Sequence, residues 1–172
     1  MSDRLRLDLA LNDFVASAVI NNRIEILSDG SPWRPLIHVK DMSRAIEWAI
    51  LRDKNISTPY LAVNTGSSSW NYQVSELAKA VANNVSNCEV SVNTQALPDK
   101  RSYKVNFDLF RSLAPNHTPI YTLQDTISEL IDGIFDIRHL ISDDFRASDF
   151  IRLHILGKHL KNRMLSRDLR WT

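Results

Sequence analysis

The chain has 172 residues, of which 44% are hydrophobic and 24% charged, an ordinary composition for a globular protein with one core or one and a half domains. Its formal net charge of +1 gives no argument for a nucleic acid or an anionic membrane as partner. The single cysteine, Cys88, excludes an internal disulfide and argues against a cysteine-rich zinc site. No apolar run approaches the ~20 residues that cross a bilayer, and the N-terminus lacks the apolar segment of a signal peptide, so we expect a cytoplasmic protein without a membrane partner.

Helices and strands are expected to alternate along the first half of the chain. Apolar residues at helical spacing predict a helix over residues 7–22, and the alternating pattern of residues 23–27 predicts a strand. A second, short apolar strand is expected at residues 36–39. Asp41 is the predicted N-cap of the next helix, because a carboxylate accepts the free amide hydrogen bonds of a first turn. We expect this helix to bury a stripe made of Met42, Ala45, Ile46, Ala49 and Ile50.

The second half continues the alternation and then changes in composition. Strands are predicted at residues 60–64 and 88–92. Beyond Ser142 the chain becomes basic, and a helix is expected over residues 147–164. Three other helices are predicted, one capped by Asn71, a short one over residues 106–113 and one capped by Thr122. Such alternation predicts an α/β fold, which here begins in the middle of a unit, with a helix that no strand precedes.

One segment presents an arginine in a rigid frame. Residues 30–41 read G-S-P-W-R-P-L-I-H-V-K-D, so that a turn delivers Arg34 to the start of an apolar strand, and an aspartate and a helix follow. A guanidinium held in this way suits a diphosphate, because its planar fork makes charge-assisted, bidentate hydrogen bonds. Taken by itself, an arginine after a turn is more often a solvated surface residue than a ligand, and only the resemblance described next favours a binding role for Arg34.

This segment resembles one in the extended short-chain dehydrogenase/reductase family, the NAD-dependent nucleotide-sugar epimerases and dehydratases, where the consensus is roughly G-D-G-x-x-x-R-D-[FWY]-[IV]-[HY]-V-x-D. Pro35 stands where most members have aspartate, which leaves the arginine in place. Residues 99–106, D-K-R-S-Y-K-V-N, are similar to the family's D-D-R-R-Y-x-x-D stretch, with Ser102 and Asn106 as departures. Residues 63–69 are similar to its Y-N-[VIL]-G-S-G segment.

The resemblance also assigns candidate site residues. The R-x-R-x-D-L-x-x-N pattern of some members is reproduced by Arg4, Arg6, Asp8 and Asn12. Substrate-binding roles are thereby implied for Arg34, Arg101, Asn12 and Tyr103. Arg34 would bind the diphosphate of a nucleotide sugar, and the loop with Arg101 and Tyr103 closes on the nucleotide in relatives. A solvated Arg101 and a polar helix face around Asn12 are the alternatives.

Catalysis in this family implies a G-x-x-G-x-x-G turn for the dinucleotide and a Tyr-x-x-x-Lys pair. The four glycines of this chain are spread far apart, and none of its four tyrosines has a lysine four residues on. We therefore assign no catalytic and no cofactor-binding residue, and expect no cofactor in the chain alone, although the resemblance implies NAD for a complete member. His38 is expected to be structural, and the five histidines show no metal-site spacing.

The resemblance runs from Arg4 to about Leu140 and corresponds to the C-terminal half of a complete member. Residues 1–66 would be the C-terminal end of a Rossmann-like domain whose NAD-binding part is missing, as a truncation or a split gene would leave it. Residues 67–141 would form a small α/β substrate-binding lobe, and residues 142–172 a basic helical tail.

The expected function is that of a fragment of an NAD-dependent epimerase/dehydratase, which supplies a nucleotide-sugar diphosphate site and does not turn over by itself. Epimerisation, dehydration and reduction all stay open. Besides the nucleotide sugar, the expected partner is a separate chain with the missing half, or a second copy in a homodimer. The alternative is a non-enzymatic partner subunit or a nucleic-acid adaptor that uses the basic C-terminal helix, although charged helix faces are usually only solvated.

Overall fold

The structure, a computed structural model, describes residues 5–53, 60–96, 101–141 and 143–172. Within these ranges the helices are α1 (Ala10–Asn21), α2 (Val39–Leu51), α3 (Val74–Ala82), α4 (Asp108–Leu113), α5 (Leu123–Asp136) and α6 (Arg152–Lys161). The strands are β1 (Arg23–Ile26), β2 (Trp33–Pro35), β3 (Asn71–Gln73) and β4 (Glu89–Val92). The α/β class predicted from the sequence is confirmed, with a small parallel sheet and several helices.

The main core is built on the parallel pair of β1 and β4, in which Ile24 lies opposite Val90. Helix α1 packs against β1, α3 and α5, and it buries Leu11, Phe14 and Val15 at the helical spacing that predicted it. The helix ends at Asn21, and its C-cap, Asn22, adopts the left-handed conformation with φ 50° and donates its backbone N–H to the Ala18 carbonyl. The core therefore draws on residues from both sides of position 66, and the three-part division stays a prediction.

A second, antiparallel pair places the candidate arginine. Strands β2 and β3 align Arg34 with Tyr72 and Trp33 with Gln73. The turn before β2 needs Gly30, whose φ is +79° and whose position would put an added Cβ 2.9 Å from the Ser75 Cβ. The Gly30 carbonyl accepts from the Ser75 backbone N–H at 3.0 Å, which ties the turn to the first turn of α3.

The strand predicted at residues 36–39 is wrong, since β2 ends at Pro35 and α2 begins at Val39. A strand needs a hydrogen-bonding neighbour, and none of the described residues pairs with residues 36–38 as a ladder. The N-cap of α2 is His38, whose Nδ1 accepts from the Lys40 backbone N–H at 3.2 Å. The predicted cap, Asp41, is also wrong: it lies inside the first turn of the helix.

Asp41 is instead a buried connector between α2 and the segment before α5. Its side chain is 1% exposed and accepts from the backbone N–H groups of Ile120 and Tyr121 at 3.1 and 3.2 Å. Arg44, one turn on, donates to the same carboxylate at 3.1 Å and to the Thr118 carbonyl at 2.8 Å. Charged hydrogen bonds compensate for the burial of this carboxylate.

The buried stripe predicted for α2 is also wrong, because the helix is turned by about one residue, or 100°. Its inward face holds Asp41, Ala45 and Trp48, and Trp48 meets Phe110 edge-on with ring centroids 5.5 Å apart. Of the predicted stripe only Ala45 is buried. The other members are exposed, namely Met42 (46%), Ile46 (55%), Ala49 and Ile50 (71%). Among the described residues, this face of α2 is therefore largely open to solvent.

Other boundaries shift for local reasons. The strand predicted at residues 60–64 is wrong, because residues 60–65 pair with no described strand. Asn71 is part of β3, so the predicted cap there is wrong, and Gln73 is the N-cap of α3. The helix expected over residues 147–164 is confirmed only as the shorter α6. The predicted cap at Thr122 is confirmed, in a capping box with Asp125.

Two Asp–Arg pairs at i,i+3 spacing test the role of burial. We expect Asp41→Ala to lower the free energy of unfolding by about 3 kcal/mol, because it leaves two backbone N–H groups without their acceptor and Arg44 without its carboxylate partner. The matched control is Asp108→Ala, which removes an exposed pair with Arg111 and should cost less than about 1 kcal/mol. Urea unfolding of both variants measures the difference. Equal costs would contradict the connecting role of Asp41.

Candidate functional site

A cleft of about 1150 Å³ lies beside the start of α1. Its walls come from residues 5–14, the end of β1, residues 34–39 and part of α5. The four residues singled out in the sequence, Asn12, Arg34, Arg101 and Tyr103, all line it. They are brought together from α1, β2 and the segment that follows residue 100. A further cavity of about 180 Å³ lies between Pro35, Asn64 and Phe107.

Arg34 joins the two walls that carry the candidate residues. Its Nη1 donates to the Trp33 carbonyl at 2.8 Å and to the Arg101 carbonyl. The guanidinium thus lies across the gap between β2 and the segment of Arg101. Arg34 and Arg101 both line the same cleft, as a pair of anion-binding residues requires.

Residues 101–107, called the 101–107 loop below, are fixed to β2 and β3 by polar contacts. Asn71 donates Nδ2 to the Val105 carbonyl at 3.0 Å and accepts from the Val105 N–H at 2.9 Å. Ser102, a departure from the family pattern, accepts the Trp33 N–H at 3.0 Å through its hydroxyl. The Lys104 ammonium lies 3.4 Å from the centroid of the Trp33 ring. The preceding residues 97–100, including Asp99 and Lys100 of the motif, lie outside the described residues.

Asn12 belongs to a small polar unit at the start of α1. Its Nδ2 donates to the Arg6 carbonyl at 2.9 Å, and the Arg6 guanidinium forms two hydrogen bonds with Asp8, at 3.1 and 2.6 Å. The hydrogen bond from Arg6 lowers the pKa of the Asp8 carboxyl. These residues, which share a motif spacing in the sequence, therefore also contact one another in the structure. Arg4, the first residue of the motif, lies outside the described residues.

Arg146 also lines the cleft, and sequence reasoning missed it. Its Nε and Nη2 each lie 2.9 Å from a carboxylate oxygen of Asp13, and Nη2 reaches the Ser17 hydroxyl at 3.1 Å. This hydrogen bonding with Asp13 raises the pKa of Arg146. The neighbouring Phe145 is 1% exposed within the main core. A large apolar residue in an otherwise polar segment was the available signal that the segment folds back on α1.

His38 has the structural role expected of it. The ring is 5% exposed and stacks on Tyr121, with centroids 4.2 Å apart. Because Nδ1 accepts from the Lys40 N–H, the neutral ring carries its proton on Nε2, which faces Glu129 at 3.3 Å. The ring thus caps α2 through Nδ1 and joins the start of α2 to α5 through Nε2.

The Gly66 segment packs beside the site without lining the main cleft. Gly66 has φ +151°, and a Cβ there would lie 2.6 Å from Phe107 Cε1. Asn64 and Thr65 line the smaller cavity instead. Close packing against Phe107, at the end of the 101–107 loop, is what this glycine provides.

Neither a metal centre nor a membrane span is found in the described ranges. No group of three or more His, Cys, Asp or Glu side chains converges there in a way that would hold a metal ion. Among the same residues, no helix combines the length and apolarity that a bilayer crossing needs.

Comparison with known proteins agrees with the resemblance seen in the sequence. Residues 7–66, which contain Asn12 and Arg34, match the NAD dependent epimerase/dehydratase family. This match confirms the family resemblance for that part of the chain.

Three solved structures are similar in fold. MoeE5 in complex with UDP-glucuronic acid and NAD is 22% identical with a TM-score of 0.57, over 76% of this chain and 42% of that chain. MoeE5 in complex with UDP-glucose and NAD is 23% identical with a TM-score of 0.56, over 78% of this chain and 43% of that chain. PbgP3 from Burkholderia pseudomallei is 20% identical with a TM-score of 0.51, over 77% of this chain and 41% of that chain. The chain thus spans less than half the length of these proteins.

The anchoring of the 101–107 loop can be tested through Asn71. We expect Asn71→Ala to lower the free energy of unfolding by about 2 kcal/mol, because the N–H and carbonyl of Val105 lose their partner. Amide exchange at Val105 and Tyr103 should become faster. Asn83→Ala, at the exposed C-cap of α3, is the matched control and should change neither quantity. Unchanged exchange at Val105 in Asn71→Ala would show that the loop is held by other contacts.

Proposed function

We propose that this chain provides the nucleotide-sugar diphosphate site of an NAD-dependent epimerase or dehydratase and has no turnover alone. The observation that carries the proposal is the convergence of Arg34, Arg101, Asn12 and Tyr103 on one cleft. The family match over residues 7–66 supports the same reaction class.

A diphosphate is the ligand chemistry that suits this arrangement. Arg34 and Arg101 come from separate segments that Arg34 itself ties together, and both arginines line one cleft. Planar guanidinium forks share the charge of a diphosphate through parallel hydrogen bonds. Asn12 adds an amide for sugar hydroxyls, and Tyr103, 55% exposed, adds a ring and a phenol. UDP-sugars are the first substrates to try, since the similar MoeE5 structures hold UDP-glucose and UDP-glucuronic acid.

The described residues do not fit NAD. A dinucleotide needs a glycine-rich turn between a strand and a helix N-terminus. In this chain Gly30 leads from β1 into β2, and Gly66 precedes a single 3-10 turn at Ser68–Trp70. The tyrosines have Asn64, Glu76, Phe107 and Asp125 four residues on, so the Tyr-x-x-x-Lys pair is missing as well. No reaction step is therefore assigned to this chain.

We further propose that a separate chain with the NAD-binding part covers the outer face of α2. Three large apolar side chains on that face, Met42, Ile46 and Ile50, are 46–71% exposed. Residues 61–65 form no backbone hydrogen bond with other described residues, so their backbone groups are available to a further strand. The similar structures are more than twice as long as the part this chain matches, and a counterpart of their further part is what we propose covers this face.

The diphosphate assignment predicts the effect of changes at Arg34. Arg34→Ala should weaken UDP-glucuronic acid binding ten- to a hundredfold, because one charged hydrogen-bonding group contributes about 1.5–3 kcal/mol. Arg34→Lys should recover part of the loss, since an ammonium lacks the fork. Ligand-observed NMR titration with the whole chain measures both.

Arg111→Ala, which removes an exposed guanidinium on α4, is the control and should bind like the parent chain. Thermal unfolding of Arg34→Ala checks that the lost contact with the Arg101 carbonyl has not disturbed the fold. Binding that is equal in Arg34→Ala and the parent would refute the diphosphate site. NAD binding, or turnover of a UDP-sugar by this chain alone, would refute the proposed lack of activity.

The uncovered face of α2 predicts self-association of the isolated chain. Light scattering over a concentration series should show oligomers, because exposed apolar stripes associate. Ile46→Gln with Ile50→Gln should return the chain towards a monomer without lowering its melting temperature. Leu113→Gln, 43% exposed on α4, is the matched control and should leave association unchanged. A monodisperse parent chain at all concentrations would contradict a partner surface on α2.

A further inference from the structure

The C-terminal unit, defined as residues 152–172, differs in charge from the rest of the chain. It holds six Lys or Arg residues and one aspartate, whereas the remainder holds 15 Lys or Arg and 19 Asp or Glu. The net charge of +1 is thus the sum of a basic C-terminal unit and an acidic remainder of the chain. Such an asymmetry is typical of a surface that meets an anionic partner.

The unit is folded, although it has almost no core of its own. Within it, α6 is followed by a turn that brings Leu165 and Trp171 into an antiparallel bridge. The Trp171 ring meets the His159 ring edge-on, with centroids 5.3 Å apart, and the Thr172 N–H donates to the Met164 carbonyl at 3.2 Å. Leu165 is the single buried residue of the unit.

Five of its large apolar side chains are exposed. Leu153 and Leu160 are seven residues apart, which places them on one side of α6, and Met164 follows just beyond the end of the helix. They are 75%, 38% and 46% exposed. Trp171 and Leu169 from the following turn add rings and methyl groups that are 71% and 55% exposed.

Cations flank this stripe. At 100° per residue, Arg152 and Lys161 fall on opposite sides of the Leu153–Leu160 line. Among the described residues, Lys161, Arg163, Arg167 and Arg170 have no carboxylate within ion-pair distance. Lys158 alone in the unit forms a close ion pair, with Asp149.

We propose that the C-terminal unit attaches the protein to the surface of an anionic lipid membrane. A helix with an apolar stripe between cations, and a nearby tryptophan, lies in the headgroup region with its apolar side towards the acyl chains. Single-stranded nucleic acid would use the arginines and Trp171, but it leaves Leu153, Met164 and Leu169 without a role. Surface attachment requires no spanning helix. The proposal is independent of the nucleotide-sugar site.

The test uses the whole chain and sedimentation with vesicles of phosphatidylcholine, with and without phosphatidylserine. We expect binding to the vesicles that contain phosphatidylserine, with weaker binding as salt is raised. Replacing Lys161, Arg163, Arg167 and Arg170 by Gln should weaken binding about fivefold for each cation removed. Leu153→Gln should weaken it about tenfold, because its buried methyl groups are lost. Arg111→Gln and Leu113→Gln on α4 are the matched controls and should bind like the parent.

Two results would overturn the proposal. One is that the protein binds equally to vesicles with and without phosphatidylserine, or binds to neither. The other is vesicle binding that Leu153→Gln leaves intact while a single-stranded DNA oligonucleotide binds more tightly, which would assign the unit to nucleic acid. Circular dichroism of each variant confirms that a loss of binding does not come from unfolding.

Discussion

The polar junction between β2 and the 101–107 loop holds the candidate site together. The β2–β3 pair is only three residues long, too short to fix a neighbouring segment by ladder hydrogen bonds alone. The Asn71 amide takes over that task by pairing with both backbone groups of Val105, and the Ser102 hydroxyl receives the Trp33 N–H. Arg34 completes the junction through the Arg101 carbonyl. A ligand that engages these arginines would meet a frame set before it arrives, which lowers the ordering cost of binding.

Features that depend on neighbouring residues were predictable from the sequence. Thr122 and Asp125 form their capping box because both partners lie within one turn. Helix α1 and strand β1 follow from apolar spacing, and α1 buries Leu11, Phe14 and Val15 at that spacing. The common location of Arg34, Arg101, Asn12 and Tyr103 was reached only through the family resemblance, because no local pattern joins residues so far apart in the chain.

The wrong predictions concern segments whose structure depends on distant partners. Residues 36–39 and 60–64 have the composition of strands, yet a strand forms only where another lies beside it. In α2, both the apolar spacing and the true inward face, Asp41, Ala45 and Trp48, are compatible with a helix. The face with the aspartate is the buried one because the backbone N–H groups of Ile120 and Tyr121 donate hydrogen bonds to its carboxylate. Asn71 looked like a cap for a similar reason, since its partner Val105 is 34 residues away.

The contact between Arg146 and Asp13 spans 133 residues, and it has a consequence for the order in which the molecule takes shape. Contacts of such sequence separation are slow to form, because a long loop must close before they give any stability. During synthesis, α1 and its Asn12 leave the ribosome long before Phe145 and Arg146 are made. The wall of the cleft that α1 forms is therefore completed only after residue 146 has been made. A nascent protein released earlier would have β2 and the 101–107 loop in place beside an α1 that lacks its contact with Arg146.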